Sequence, residues 1–143
     1  MKTSRACRWE HFSHEADMGI RGHGDTLEEA FRQAAMAMTA VICDIKKVKP
    51  LIPVEIQCEA PDYELLFVDW LNALVYHMAV ENMLFSRFDI RTGKTTLQAT
   101  AWGETVEISR HQPVVEVKGV TYTELVVRQK SNDHWIAQCV IDV

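Results

Sequence analysis

The stretch of residues 63–80 leaves this chain few ways to fold. Its Leu66, Phe67, Trp70, Leu71, Leu74 and Met78 recur at three- and four-residue steps, and Leu65, Val68 and Val75 widen the apolar stripe beyond a single helix face. A helix this apolar needs cover on more than one side, which the remaining chain has to supply as sheet. Ala60-Pro61-Asp62 punctuates its start, with Asp62 placed to cap the first turn. Just before, Val54, Ile56 and Cys58 alternate with Glu55, Gln57 and Glu59, the period of a strand with one wet face. Asp69, Asn72 and His77 interrupt the apolar stripe and read as hydrogen-bonded helix residues.

The other elements follow from the same periods. Weak alternation predicts a strand over residues 5–11, and a clearer one over 17–21 that ends at a Gly22-His23-Gly24 turn. Asp25 followed by Glu28 has the form of a capping box that starts a helix at Thr26. That helix carries Leu27, Ala30, Phe31, Ala34 and Met38 on one face and ends near residues 41–43. Beyond Asn82, the pairs and triplets Phe88/Ile90, Leu97/Ala99/Ala101 and Val106/Ile108 predict short antiparallel strands, split by Thr92-Gly93-Lys94 and Trp102-Gly103-Glu104. Two more strands, over 117–128 and 135–141, are joined by the turn formers of 130–133. The expected fold is α+β, a mixed, largely antiparallel β-sheet with two α-helices packed on it. With 143 residues, 48% of them hydrophobic, one domain over 1–143 is expected.

Several function classes are excluded by residue type. A net charge of −5 does not suit a surface that grips nucleic acid unaided, and Lys46-Lys47-Val48-Lys49 is the one basic run. The four cysteines are scattered without a C-x-x-C pair, which argues against a zinc knuckle or redox motif and for a reducing compartment. No apolar stretch is long enough for a signal peptide or a bilayer span, so a cytoplasmic protein is expected. His14-Glu15 is not an H-E-x-x-H helix, because Met18 occupies the second histidine position, and Gly19, Gly22 and Gly24 match no phosphate loop. His11 and His14 lack cysteine partners for zinc and are expected to pack and hydrogen-bond. What remains is a set of oxygen donors: Asp17, at a strand start beside glycines, and Asp142 with the carboxylate of Val143. Sequence alone does not join them, and Asp17 also has an ordinary reading as a turn aspartate.

His14-Glu15-Ala16-Asp17, Gly19, Gly24-Asp25-Thr26-Leu27-Glu28-Glu29-Ala30-Phe31, Glu116-Val117-Lys118-Gly119-Val120-Thr121-Tyr122 and the closing Ile141-Asp142-Val143 resemble the archease family over essentially the whole chain. One departure is Glu15, where the family usually has threonine. The resemblance implies that Asp17 and Asp142 meet with the Val143 carboxylate in a divalent-cation site, with His14 and Lys118 in its functional neighbourhood. Hard carboxylate donors favour Ca2+, with Mg2+ or Mn2+ as the other candidates. It further implies a non-catalytic activator of an RtcB-type RNA ligase in tRNA splicing, promoting guanylylation and repeated turnover of that ligase. Two other classes stay open: a small metal-dependent phosphoester hydrolase built on Asp17 and Asp142, and a general chaperone or interaction module.

Overall fold

The computed structural model describes residues 7–143. In chain order these form β1 (Arg8–His14), β2 (Asp17–Gly24), α1 (Leu27–Ile42), β3 (Ile52–Glu59), α2 (Tyr63–Glu81), β4 (Met83–Thr92), β5 (Thr96–Thr105), α3 (Ile108–His111), β6 (Gly119–Val120), β7 (Val126–Ser131) and β8 (His134–Asp142), with a 3-10 turn at Ile45–Lys47. The strands make two sheets. One has the order β1-β2-β8-β6, with β7 also paired to β8, and the other has the order β3-β5-β4. Every pairing described is antiparallel. The fold is therefore α+β as expected, with the strands divided between two sheets.

Each long helix touches strands of both sheets, which is how α2 buries an apolar surface wider than one face. Leu66, Phe67, Trp70 and Leu71 are wholly buried, and Asp62 caps the helix by accepting from the Leu65 N–H at 2.8 Å. The indole N–H of Trp70 donates to the Phe31 carbonyl of α1 at 3.2 Å, so the core satisfies its one polar tip. His77 bonds Glu81 at 2.7 Å across one helical turn, as the sequence suggests.

Several boundaries differ from expectation, each for a visible reason. The first strand runs from Arg8 to His14, not over 5–11; residues 5 and 6 lie outside the described residues, and the polar end joins the strand because it pairs with β2. The Gly22-His23-Gly24 segment is no turn but the end of β2, and none of its glycines has a positive φ. A Cβ on Gly22 would lie 2.2 Å from the Ala30 carbonyl oxygen, so the glycine admits the backbone of α1. The cap of α1 is Thr26, whose hydroxyl accepts from the Glu29 N–H at 3.1 Å, one position later than the Asp25 start predicted. Trp102-Gly103-Glu104 lies inside β5, where Gly103 lets Leu84 of β4 approach. Val106 and Ile108 form no strand, since the chain turns into α3 there. The strand expected over 117–128 breaks into β6 and β7, with Glu124 at φ 54° between them.

Candidate functional site

The register of the first sheet places four of the predicted residues in one row. β1 and β2 are joined through Glu15 and Ala16, with Glu15 at φ 54°, so His14 lies opposite Asp17. β2 pairs Met18 with Ile141, and one further step of that register sets Asp17 beside Asp142. β6 pairs Gly119 with Asp142, and the Lys118 N–H donates to the Asp142 carbonyl at 2.8 Å. Directly opposed residues of antiparallel strands share a face, so the His14, Asp17 and Asp142 side chains project together. Lys118, one residue before Gly119, joins the row through its backbone.

Asp142 and Lys118 are exposed, while His14 and Asp17 are half-buried. Among the described residues no hydrogen bond or ion pair engages these four side chains. Two carboxylates on neighbouring strands offer hard oxygen donors of the kind that calcium and magnesium take. Side chains alone do not complete such a site: among the described residues no three His, Cys, Asp or Glu gather closely enough to hold an ion. Val143, the next residue, is half-buried and packs its side chain against the core. His11 is occupied elsewhere, its Nε2–H donating to the Ala37 carbonyl of α1 at 2.8 Å.

Two polar clusters escaped the sequence reading. On the outer face of the first sheet, Glu10 Oε2 accepts from His23 Nε2–H at 2.6 Å and lies 3.2 Å and 3.3 Å from Nη1 of Arg8 and Arg21. His23 Nδ1 in turn lies 2.9 Å from His134 Nε2. The Arg21 guanidinium donates to Gln138 Oε1 at 2.7 Å and lies over the Phe12 ring. The His23 hydrogen bond, followed by Arg21, holds Glu10 down to about 2, and burial lowers His23 below the ordinary imidazole value. The second cluster centres on buried Glu104. It accepts from Arg110 at 2.6 Å and 2.9 Å, from the Lys49 N–H at 2.7 Å and from His111 Nε2–H at 2.9 Å; Arg110 first among these holds it at about 2. The period-two polar positions of β1 and β2 were legible. Their partners on β8 were not, because these lie more than a hundred residues away in the chain.

Two antiparallel sheets around two helices, with unengaged carboxylates at one sheet end, define a small α+β domain that presents an acidic sheet edge. The model of the Archease protein family matches residues 9–143. The chain belongs to the archease family. It is 37% identical over 140 residues to the protein archease of Pyrococcus furiosus, covering 95% of this chain and 99% of that one. To its Methanosarcina barkeri counterpart it is 36% identical over 146 residues, covering 99% of each. Its fold matches the solution structure of a Methanobacterium thermoautotrophicum protein with a TM-score of 0.83, at 29% identity over 94% of this chain and 98% of that one. A Thermotoga maritima crystal structure, described as that of an archease and possible chaperone, shares the fold with a TM-score of 0.61 at 18% identity over 92% and 94% of the two chains. No helix among the described residues is long and apolar enough to cross a membrane.

Proposed function

We propose that this chain is a protein cofactor that activates an RtcB-type RNA ligase in tRNA splicing or RNA repair, promoting its guanylylation and repeated turnover without itself catalysing ligation. The observation that carries the reading is the row. Segments from both ends of the chain bring His14, Asp17 and Asp142 to one sheet end, with Lys118 tied to Asp142, in a member of the archease family. Asp17, Asp142 and the α-carboxylate of Val143 would hold a divalent cation. Ca2+ suits them best, because it tolerates irregular oxygen coordination, whereas Mg2+ demands near-octahedral geometry and keeps its waters. Such an ion would supply a positive centre that attracts phosphate or carboxylate oxygens of the ligase site. The chain's own residues act by contact: the acidic row meets the partner, and the exposed Lys118 lies beside it.

The test is a ligation assay with the cognate ligase in limiting amount, GTP, divalent metal and substoichiometric chain. Guanylylated ligase and ligated RNA should both rise, and Asp17→Ala and Lys118→Ala should lose the effect while keeping the fold, since surface changes usually shift stability by no more than about 0.5 kcal/mol. No rise in either product across metals removes the reading. The description of the Thermotoga maritima protein as a possible chaperone, together with exposed Ile108 and Val114 here, favours general chaperoning as the second reading. Suppression of aggregation that is indifferent to chelator and to Asp17→Ala would select it.

A further inference from the structure

One step in from the acidic row, the outer face of the first sheet carries a second row of opposed residues. Phe12 lies opposite Gly19, and Gly19 opposite Val140, each two residues from His14, Asp17 and Asp142 in turn. Residues two apart on a strand share a face, so the two rows are neighbours. The Phe12 ring is laid across Gly19: a Cβ built on that glycine would lie 2.3 Å from Cε1 and 2.4 Å from Cδ1 and Cζ of the ring. The ring thus fills the space a side chain would take and shields bare backbone, as aromatic residues do over strand glycines. The Arg21 guanidinium lies over the same ring, 4.6 Å from its centroid, within reach of cation–π attraction. Arg21 is itself fixed by Gln138 Oε1 at 2.7 Å and by Glu10 at 3.3 Å. Phe12 stands outside the hydrophobic core, which its strand neighbour His11 approaches from the α1 face. A half-buried phenylalanine that spends its ring on a glycine of the outer face has a local task.

The acidic row beside it has no polar support. Carboxylates that hold a cation are normally oriented by hydrogen bonds from a second layer of groups, yet among the described residues none engages Asp17 or Asp142. The described pairing of β2 with β8 ends at Met18 and Ile141, so Asp17 sits one residue past the last paired position. Its placement then depends on how the β1–β2 hairpin is held on the outer face, which is where the Phe12 ring crosses from one strand to the other. We infer that Phe12, pinned by Gly19 and Arg21, is the positioning residue of the acidic row. Its ring sets how β1 and β2 meet near His14 and Asp17, and so how the Asp17 and Asp142 carboxylates stand when they take a divalent cation. An apolar wall beside two carboxylates also lowers the local dielectric and strengthens their pull on that ion. Because the Arg21 charge is spent on Glu10, it supports the ring without competing for Asp17. This rests on the cation site of the proposed function and adds to it the residue that shapes the site.

The experiment measures Ca2+ affinity of the full-length chain by calorimetry, with Mg2+ and Mn2+ in parallel, beside the metal-free urea midpoint of each protein. Phe12→Ala removes the ring and Gly19→Ala pushes it aside, which a side chain can do without unfolding the strand. Each should weaken Ca2+ binding at least about tenfold. Phe12→Leu, which keeps apolar bulk without a flat ring, should fall between. Two further variants separate positioning from stability. Once the ring is gone, alanine suits a strand better than glycine, so Phe12→Ala combined with Gly19→Ala should have a higher midpoint than Phe12→Ala while its affinity stays low. Leu97→Ala opens a cavity at a buried position of the second sheet and should lower the midpoint yet bind Ca2+ as the parent does. Parent-like affinity in Phe12→Ala, affinity that recovers with stability in the double variant, or an equal loss in Leu97→Ala would overturn the inference and leave the proposed function standing. No saturable uptake of any of the three ions by the parent would overturn both.

Discussion

At the scale of single residues, the side chains that set the pH response are Glu10 and His23. Glu10, half-exposed, is held at about 2 by His23 and then Arg21, so its share of stability is present above the ordinary carboxylate value and is lost as pH falls towards 2. His23 is buried, and its lowered value has the same sign. An unfolded imidazole takes a proton near about 6.5 that the folded one refuses, so stability also falls as pH drops below that point. With His23 neutral and its Nε2–H given to Glu10, its Nδ1 accepts from His134 Nε2–H. The urea midpoint should therefore fall between pH 7 and pH 5, and His23→Gln should flatten that part of the profile; an unchanged slope would show that another group titrates. A different residue carries the opposite kind of cost. The Trp102 indole N–H is buried without an acceptor among the described residues, a loss of about 1–3 kcal/mol. Trp102→Phe removes that donor and keeps a ring for Arg87 to cover, so chemical denaturation should show stability equal to or above the parent. A drop of more than about 1 kcal/mol would mean that the indole makes contacts worth more than its orphaned donor.

At the scale of elements, close backbone approach is the fact that periodicity conceals. Gly22 and Gly103 both read as turn signals in the sequence, and both lie inside strands, because a missing side chain there admits α1 in one case and β4 in the other. A Cβ at Gly22 would meet Ala30 O at 2.2 Å and Ala34 N at 2.4 Å, which are backbone atoms that move only if the helix moves. Gly22→Ala should thus destabilise by about 3 kcal/mol or more, the upper range for overpacking, measured as a lowered urea midpoint with unchanged slope. A midpoint within the error of the parent's would show that α1 has room to shift. The long helices were legible for complementary reasons. Their apolar steps and polar caps act within a few residues, and Asp62 caps α2 as its position suggests. The break between β6 and β7 was not legible, since apolar Val117, Val120 and Leu125 serve the core from loop positions as well as from strands.

At the scale of the whole molecule, the candidate row exists only because strands far apart in the sequence pair, β2 and β6 each with β8. Sequence chemistry singled out Asp17 and Asp142 as oxygen donors worth following, whereas Lys118 drew notice only through the family resemblance, and local patterns contain no information on which strands pair. Only the family resemblance suggested that they meet, and the β2/β8 register now sets Asp17 and Asp142 side by side. Adjacency formed by folding has a thermodynamic consequence. The unfolded chain holds these carboxylates far apart and binds a cation weakly, so under the proposed function an ion held by Asp17, Asp142 and the Val143 carboxylate would stabilise the native state by mass action. At a free Ca2+ concentration about a hundred times the dissociation constant, the gain is about 2.7 kcal/mol, and for a domain of this size the melting temperature should rise by about 8 °C. Asp17→Asn and Asp142→Asn each remove one ligand charge, and one residue added after Val143 converts the third carboxylate to an amide. Each change should abolish most of the calcium-dependent rise while leaving the metal-free melting temperature near the parent's, because neither aspartate is fully buried and neither makes a hydrogen bond or ion pair among the described residues. Melting curves with chelator and with calcium, run beside calorimetric titration of the ion, separate the outcomes. A rise that survives both aspartate changes places the ion elsewhere, and one that survives only the added residue leaves a two-aspartate site completed by water.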